Sequence, residues 1–263
     1  CRYDIKLSEI FNKYGMKGTF NLNSKWLGKD ENDWHLTKEE IQKYIVDAGH
    51  EIATHGAEHR ANGNLRPIDG IQDVLNCRLG LEKEFGMIVR GLAYPDCGIR
   101  QFHNNCTMES IEQYLKELDI TYARTLGVIN DTFELPQNWY QWMPTAHHDS
   151  PELFGLIDKF VNFKISDVYT ARRIPQLLYI WGHAYEFNDK NNWERMEEIC
   201  EKLSNKEDTW YATNGEIYEY VEAYNSLVSS ADNSIIYNPT QKQIWFVVDD
   251  VQYTIKPGET LKF

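Results

Sequence analysis

The 263-residue sequence has no apolar run near the ~20 residues that a membrane-spanning helix needs. Positive charge is also scarce. The chain has 27 Lys and Arg residues and 40 Asp and Glu residues, which gives a formal net charge of −13. Nucleic acids and anionic membranes are bound through clustered Lys and Arg. We therefore expect neither a nucleic acid nor a membrane as a partner. The first residues do not resemble a signal peptide.

Cysteine is also scarce, and its spacing is uninformative. The five cysteines form no CxxC pair and no zinc-ribbon spacing, and their number is odd: Cys1, Cys77, Cys97, Cys106 and Cys200. A disulfide framework is therefore not expected, and reduced thiols in a cytoplasmic protein are the simplest account. The alternative is a bridge between Cys97 and Cys106 in an exported protein.

Helical and strand patterns alternate along most of the chain, which is typical of an α/β barrel. A single domain of this size can bury a large core. Helices are predicted at 3–13, 37–48, 68–85, 110–118, 151–162, 193–204 and 215–226, and strands at 18–22, 50–54, 89–94, 122–125, 177–181 and 209–211. From about residue 234 the pattern changes to short strands, at 235–237, 244–248, 251–255 and 261–263. The sequence thus predicts a main domain over 1–228 and a small antiparallel β appendage over 234–263.

A strand pattern that runs into two histidines is the most informative feature. The stretch HEIATHGAEH places His55 and His59 four residues apart, directly after the strand predicted at 50–54. On a helical turn this spacing brings the two Cβ atoms to about 5–6 Å. Two neutral imidazoles that converge in this way suit a divalent metal, most often zinc, which still needs an oxygen ligand. The alternative is a pair of surface histidines on a helix.

Several motifs together resemble the polysaccharide deacetylase family, the NodB-homology or carbohydrate esterase 4 group, over most of residues 2–225. They are the helix and strand in DIKLSEIFNKYGMKGTFNL, the stretch GHEIATH, and IWGH at 180–183. The resemblance implies a distorted (β/α)7-type barrel of the NodB kind. It also implies a metal site at His55 and His59, where Gly56 replaces the family's small hydroxyl residue. The implied metal is zinc, with cobalt, nickel and manganese as alternatives.

The family's first motif, a strand that ends in two adjacent aspartates, lies directly before a helix like the one predicted at 3–13. Only Cys1 and Arg2 precede that helix here, so the chain as given lacks this motif and has the pattern of a fragment. An internal pair, Asp249 and Asp250, also follows a strand pattern. A second strand pattern comes after it, which predicts a β-hairpin turn rather than a relocated metal ligand.

The resemblance assigns a general acid to His183, at the end of the strand predicted at 177–181. Histidine suits proton transfer near neutral pH, although a histidine satisfied by local hydrogen bonds is the alternative. Glu186 could orient a ring or bind sugar hydroxyls. In the stretch Ala93-Tyr94-Pro95-Asp96, the family's arginine is replaced by Ala93 and its tyrosine by Asp96. A backbone N–H at this loop could still serve as an oxyanion donor.

The aromatic loop at 138–148 matches the family's tryptophan-containing motif. Trp139 or Trp142 is predicted to form an apolar wall for an acetyl methyl group, and His148 to make a polar contact at the rim. Ordinary packing is the alternative for each. In the appendage, Trp245 could bind carbohydrate or could belong to a core or an interface.

The resemblance implies metal-dependent removal of acetyl groups from an N-acetylated or O-acetylated glycan, with Tyr94 and Asp96 among the substrate contacts. Two other functions stay open: a non-catalytic glycan-binding relative, and an amidohydrolase that acts on a small acylated metabolite. The sequence does not predict an oligomeric state.

Overall fold

A computed structural model of the chain describes residues 1–28, 34–127, 129–169 and 173–263. By contacts between Cα atoms, the chain divides into two compact units. The first consists of Cys1–Ile165 and Ile174–Asn214, and the second of Ser166–Arg173 and Gly215–Phe263. None of the helices in the described ranges is both long and apolar enough to cross a membrane.

The first unit alternates helices and short strands. Its helices are α1 (Asp4–Tyr14), α2 (Lys38–Ile41), α3 (Pro67–Phe85), α4 (Met108–Glu117), α5 (Leu153–Val161), α6 (Ala184–Asp189) and α7 (Trp193–Leu203). Its strands are β1 (Thr19–Leu22), β2 (Glu51–Thr54), β3 (Gly91–Ala93), β4 (Tyr122–Arg124), β5 (Ala146–His147) and β6 (Ile180–Trp181). Helix α8 (Asn214–Asn225) follows.

The strands of this unit pair in parallel. Strands β1 to β4 form one sheet in sequence order, and β5 pairs with β6 in a second sheet. Phe20 pairs with Ile52, and Leu92 with Ala123. Each crossover between the first four strands carries helical structure, as parallel pairing requires. This arrangement agrees with the predicted distorted (β/α) barrel, and it sends the carboxyl ends of the strands to one edge.

Buried apolar side chains fill the space between strands and helices. One cluster joins Phe20 and Ile52 to Leu81 of α3, and a neighbouring cluster joins Leu92 to Ile111 and Leu115 of α4. These six side chains are at most 7% exposed. At ~25 cal/mol per Å² of buried apolar surface, contacts of this kind are the dominant stabilising term and hold the sheet rigid beneath its carboxyl edge.

Most predicted elements of the first unit are present, and five elements differ. The helix predicted at 37–48 starts with the expected capping box, in which the Thr37 side chain accepts from the Glu40 N–H, but it continues as a π-helical turn over Gln42–Val46. The strand predicted at 209–211 is wrong, because these residues form no ladder. The sequence analysis did not predict β5 or α6. The strand predicted at 177–181 shortens to its last two residues.

The second unit ends in short antiparallel strands. Four of them were predicted, namely β8 (Ile235–Tyr237), β9 (Ile244–Val248), β10 (Val251–Ile255) and β11 (Thr260–Lys262), whereas β7 (Val228–Ser229) was not. Strands β9 and β10 form a hairpin in which Val248 pairs with Val251. Asp249 and Asp250 both have positive φ, at 48° and 63°, as a two-residue hairpin turn with mirror-image geometry requires. The hairpin prediction is confirmed, and this pair belongs to a turn. Trp245 is 46% exposed.

Candidate functional site

Side chains that can do chemistry follow the carboxyl ends of three parallel strands. His55 and His59 come after β2, Asp96 comes after β3, and His183 comes directly after β6. Parallel barrels carry their functional residues at this edge.

The loop that carries His55 and His59 is not the predicted helical turn. Gly56 and His59 adopt left-handed φ angles of 67° and 55°, which interrupt any helix. The two rings nevertheless lie edge to face with their centroids 4.7 Å apart. The convergence of the two histidines is therefore present, but a specific loop conformation produces it.

His55 is oriented by a backbone carbonyl of the neighbouring strand. Its Nδ1 lies 2.7 Å from the Ala93 carbonyl oxygen, which can only accept, so Nδ1 carries the proton. Burial is the main reason that the pKa of His55 is lowered to about 3, and the positive charge of Arg124 lowers it as well. The hydrogen bond to the Ala93 carbonyl acts in the opposite direction and raises this pKa. The ring is therefore neutral near pH 7 with a free lone pair on Nε2. Metal-ligating histidines have this arrangement, so His55 fits a metal ligand.

His59 faces a carboxylate on the β3 loop. Its Nδ1 lies 3.7 Å from Oδ2 of Asp96, and the two side chains are 34% and 60% exposed. Asp96 has a left-handed φ of 49°, which turns the chain back toward His59. Tyr94, two residues earlier, is buried, and its hydroxyl donates to the Tyr140 carbonyl at 2.9 Å.

A second cluster surrounds Glu186 on α6. Its carboxylate lies 3.1 Å from His147 Nε2, 2.5 Å from His148 Nε2 and 3.4 Å from His183 Nδ1. Burial alone would raise the pKa of Glu186, but the hydrogen bonds from these histidines outweigh it and hold that pKa well below its usual range. Glu186 is therefore an ionised carboxylate that three imidazoles surround.

His147, His148 and Glu186 are close enough to hold a metal ion, but their hydrogen bonds do not fit one. The backbone N–H of Asp149 donates to His147 Nδ1 at 3.2 Å, so the proton of neutral His147 sits on Nε2, the atom that faces Glu186. His148 Nδ1 is buried and has no hydrogen-bond partner among the described residues. His147 cannot donate from Nδ1, and His148 Nδ1 has no acceptor among the described residues, whereas a metal-ligating histidine donates its second N–H to a partner. In this arrangement the cluster is a carboxylate bound by histidine donors.

The remaining predicted contacts lie deeper than expected. His148 is 3% exposed and stacks on Phe187 at 4.0 Å, so it lies in the interior and not at a rim. Trp142 is 1% exposed and packs at 4.9 Å against the ring of Trp139. The roles predicted for Tyr94, Trp139, Trp142 and His148 toward a substrate stay predictions.

Three residues near the site were not predicted from any sequence motif. Arg124 is 7% exposed, pairs in register with Ala93, and places its guanidinium 5.0 Å from the Trp181 ring centroid. Arg124 thus places a buried cation on the strand next to position 93, where the resemblance expects an arginine. His147 and Asp73 are the other two. Strand register determines where Arg124 and His147 lie, and the position of Asp73 along α3 determines where its side chain lies. No motif spacing in the sequence indicates these positions.

Comparison with known proteins identifies similar chains. Residues 2–123 match a family model described as polysaccharide deacetylase. A Mycobacterium smegmatis protein provisionally assigned as a polysaccharide deacetylase is 18% identical over 84% of this chain and 77% of its own, with a TM-score of 0.55. Puue allantoinase is 13% identical over 82% of this chain and 71% of its own, with a TM-score of 0.54. At these identities the two structures support the barrel fold alone.

A Bacillus anthracis pseudoenzyme of the carbohydrate esterase 4 family, BA3943, is 16% identical over 82% of this chain and 60% of its own, with a TM-score of 0.47. The chain spans between 48% and 60% of the length of several deacetylase-family structures that it matches. No curated protein matches it significantly.

Proposed function

Over residues 2–123 the chain belongs to the polysaccharide deacetylase family, and we propose that it is a metal-dependent hydrolase that removes acetyl groups from an N-acetylated or O-acetylated saccharide. The observation that carries this proposal is the orientation of His55. Its Nδ1 proton is donated to the Ala93 carbonyl, its Nε2 has no hydrogen-bond partner among the described residues, and its ring lies 4.7 Å from that of His59. Zinc is the first candidate, since imidazole nitrogen is among its preferred ligands.

Each side chain has a separate task in this proposal. His55 and His59 hold the metal, which when bound lowers the pKa of water and polarises a carbonyl. His183 donates a proton from Nε2 to the departing group while Nδ1 faces Glu186 at 3.4 Å. The backbone N–H at Asp96 is the proposed oxyanion donor, because the left-handed turn there brings that loop toward His59.

A non-catalytic saccharide-binding relative is the second candidate. Among the described residues, no third histidine, cysteine or carboxylate joins His55 and His59 in a three-ligand group. This favours saccharide binding without hydrolysis, because two imidazoles alone supply neither a carboxylate ligand nor a general base.

The test is acetate release by the native protein, measured before and after removal of metal with a chelator and again after zinc is added back. N-acetylated oligosaccharides and small N-acetyl amides serve as parallel substrates. Zinc-dependent release from the oligosaccharide supports the deacetylase, and release from small amides alone supports the amidohydrolase. Saccharide binding without release supports the non-catalytic relative.

Zinc titration of His55→Ala and His59→Ala tests the ligands directly. Each variant should lose more affinity than the roughly 10–100-fold that an outer-shell change costs. His103→Ala is the matched control, because His103 lies on an exposed loop. His183→Ala should lower kcat with zinc affinity unchanged. Zinc affinity that is equal in His55→Ala and the wild type would overturn the proposed ligand set.

A further inference from the structure

We infer that Asp73, a buried carboxylate on α3, is a positioning residue that shapes the His55–His59 loop so that its two imidazoles converge. This inference rests on the proposed function, because it concerns the same metal-binding pair. The Asp73 side chain is 1% exposed, and its Oδ1 accepts the backbone N–H of Glu58 at 3.1 Å.

The loop is held from two sides by groups that bind its backbone. On one side, the side-chain amide of Asn23 donates to the carbonyl oxygens of His55 and Gly56, at 2.5 and 2.9 Å. On the other side, the Asp73 carboxylate accepts from Glu58, and the Asp73 backbone carbonyl accepts from the Ala57 N–H at 3.2 Å. A chain without a helical ladder needs such partners for its polar groups.

The Asp73 carboxylate also occupies the space beside Gly56. A Cβ atom at position 56 would lie 2.3 Å from Asp73 Oδ2, which is far inside van der Waals contact. Gly56 has a left-handed φ of 67°, so glycine is favoured there by both space and conformation. Glycine at 56 and aspartate at 73 therefore form a matched pair, in which the carboxylate takes the place of a side chain on the loop.

This carboxylate is not explained by ordinary ion pairing. Its Oδ2 is buried without a hydrogen-bond partner among the described residues, and Arg60 Nε approaches Oδ1 only to 3.7 Å. Burial raises the pKa of Asp73, which reflects the cost of keeping it ionised there. Burying a carboxylate whose hydrogen bonds are incomplete costs free energy. The contacts of Asp73 with the His55–His59 loop account for its presence here.

The test compares zinc affinity, the absorption spectrum of the cobalt-loaded protein, and the unfolding free energy without metal. Asp73→Ala should weaken zinc binding by about 10–100-fold, as loss of an outer-shell partner does, and should change the cobalt spectrum. Asp73→Asn retains an oxygen for the Glu58 N–H and should recover most of the affinity. Asp69→Ala is the matched control, since Asp69 lies on the same helix and pairs with Arg66.

A double-mutant cycle with Gly56→Ser tests the matched pair. Gly56→Ser alone should weaken zinc binding, because its Cβ displaces the carboxylate, and the combination with Asp73→Ala should cost less than the sum of the single changes. A purely structural aspartate would lower stability in Asp73→Ala without changing the zinc affinity or the cobalt spectrum of the folded protein. That result, or full additivity, would overturn the inference.

The metal-free protein supplies a readout that does not depend on the proposed function. Asp73→Ala should shift the imidazole NMR resonances of His59 and remove hydrogen-exchange protection from the Glu58 amide, while Asp73→Asn keeps both. If the wild type binds no zinc, the proposed function is wrong. The His59 resonances of the metal-free protein still test the role of Asp73 in that case. Unchanged His59 resonances in Asp73→Ala would refute it.

Discussion

Replacing Glu186 with glutamine tests the reasoning about the histidine-bound carboxylate most directly. Glu186 accepts from His147 and His148 side chains and, at 3.2 Å, from the His183 backbone N–H. A glutamine can place its one acceptor oxygen where Oε2 accepts all three of these bonds, and its NH₂ group then takes the Oε1 position, which faces His183 Nδ1 at 3.4 Å. The bonds to Oε2 remain but lose their charged acceptor. Hydrogen bonds to a charged group are worth about 1.5–3 kcal/mol each, against about 0.5–1.5 for neutral pairs.

Losing the charge on these three bonds should lower the unfolding free energy by about 2–3 kcal/mol at pH 7. This figure lies at the low end because the carboxylate side chain is 21% exposed and partly screened. The assay is urea unfolding followed by tryptophan fluorescence, with Glu9→Gln as an exposed helical control that should change by less than about 0.5 kcal/mol.

The pH dependence gives the sharper test. The folded pKa of Glu186 lies below its ordinary value of 4.5, so its stabilisation is fully present above pH 4.5 and is lost as the pH falls below it. The difference between wild type and Glu186→Gln should therefore shrink by up to about 2 kcal/mol between pH 4.5 and pH 3, at 1.36 kcal/mol per pH unit. An equal difference at pH 7 and pH 3 would refute an ionised, histidine-bound carboxylate.

Two further changes test packing and turn geometry. Gly182→Ala would place a Cβ 1.9 Å from His148 Cδ2, so we expect a loss of about 1–3 kcal/mol in urea unfolding, and wild-type stability would contradict this close contact. Asp249→Val puts a β-branched residue at a φ of 48° in the β9–β10 turn and should cost about 1–2 kcal/mol, whereas Asp249→Asn should be neutral; equal stability of the two variants, measured by thermal unfolding, would argue against the mirror-image turn.

The parts of the fold that local patterns determine were predictable. The capping box at Thr37, the hairpin turn at Asp249 and Asp250, and the long helix through residues 68–85 all follow from neighbouring residues. The strand at 209–211 was wrong because three residues give too little periodicity to separate a strand from a loop. Strand β5 was missed because its two residues lie in a polar, aromatic stretch and are specified by pairing with β6.

The site was predictable to a lesser degree. Spacing identified His55 and His59 as a pair, but it suggested a helix where Gly56 and His59 adopt left-handed conformations. Three partners surround this pair. The Ala93 carbonyl accepts from His55, the Asp73 carboxylate accepts from the Glu58 N–H, and Arg124 pairs in register with Ala93. These relationships exist only after the sheet and α3 have packed, so no sequence motif encodes them.

The bond from His55 to the Ala93 carbonyl has a consequence for how this position can vary. Its acceptor belongs to the main chain, so a residue at 93 that preserves the strand would leave the imidazole anchored. Ala93 is fully buried, so only residues of similar size, such as glycine or serine, fit there without overpacking the core. Tolerance of these small residues at 93 together with intolerance at 91, where a Cβ would lie 2.2 Å from the Tyr122 hydroxyl, would be the pattern in a saturation screen scored by zinc retention.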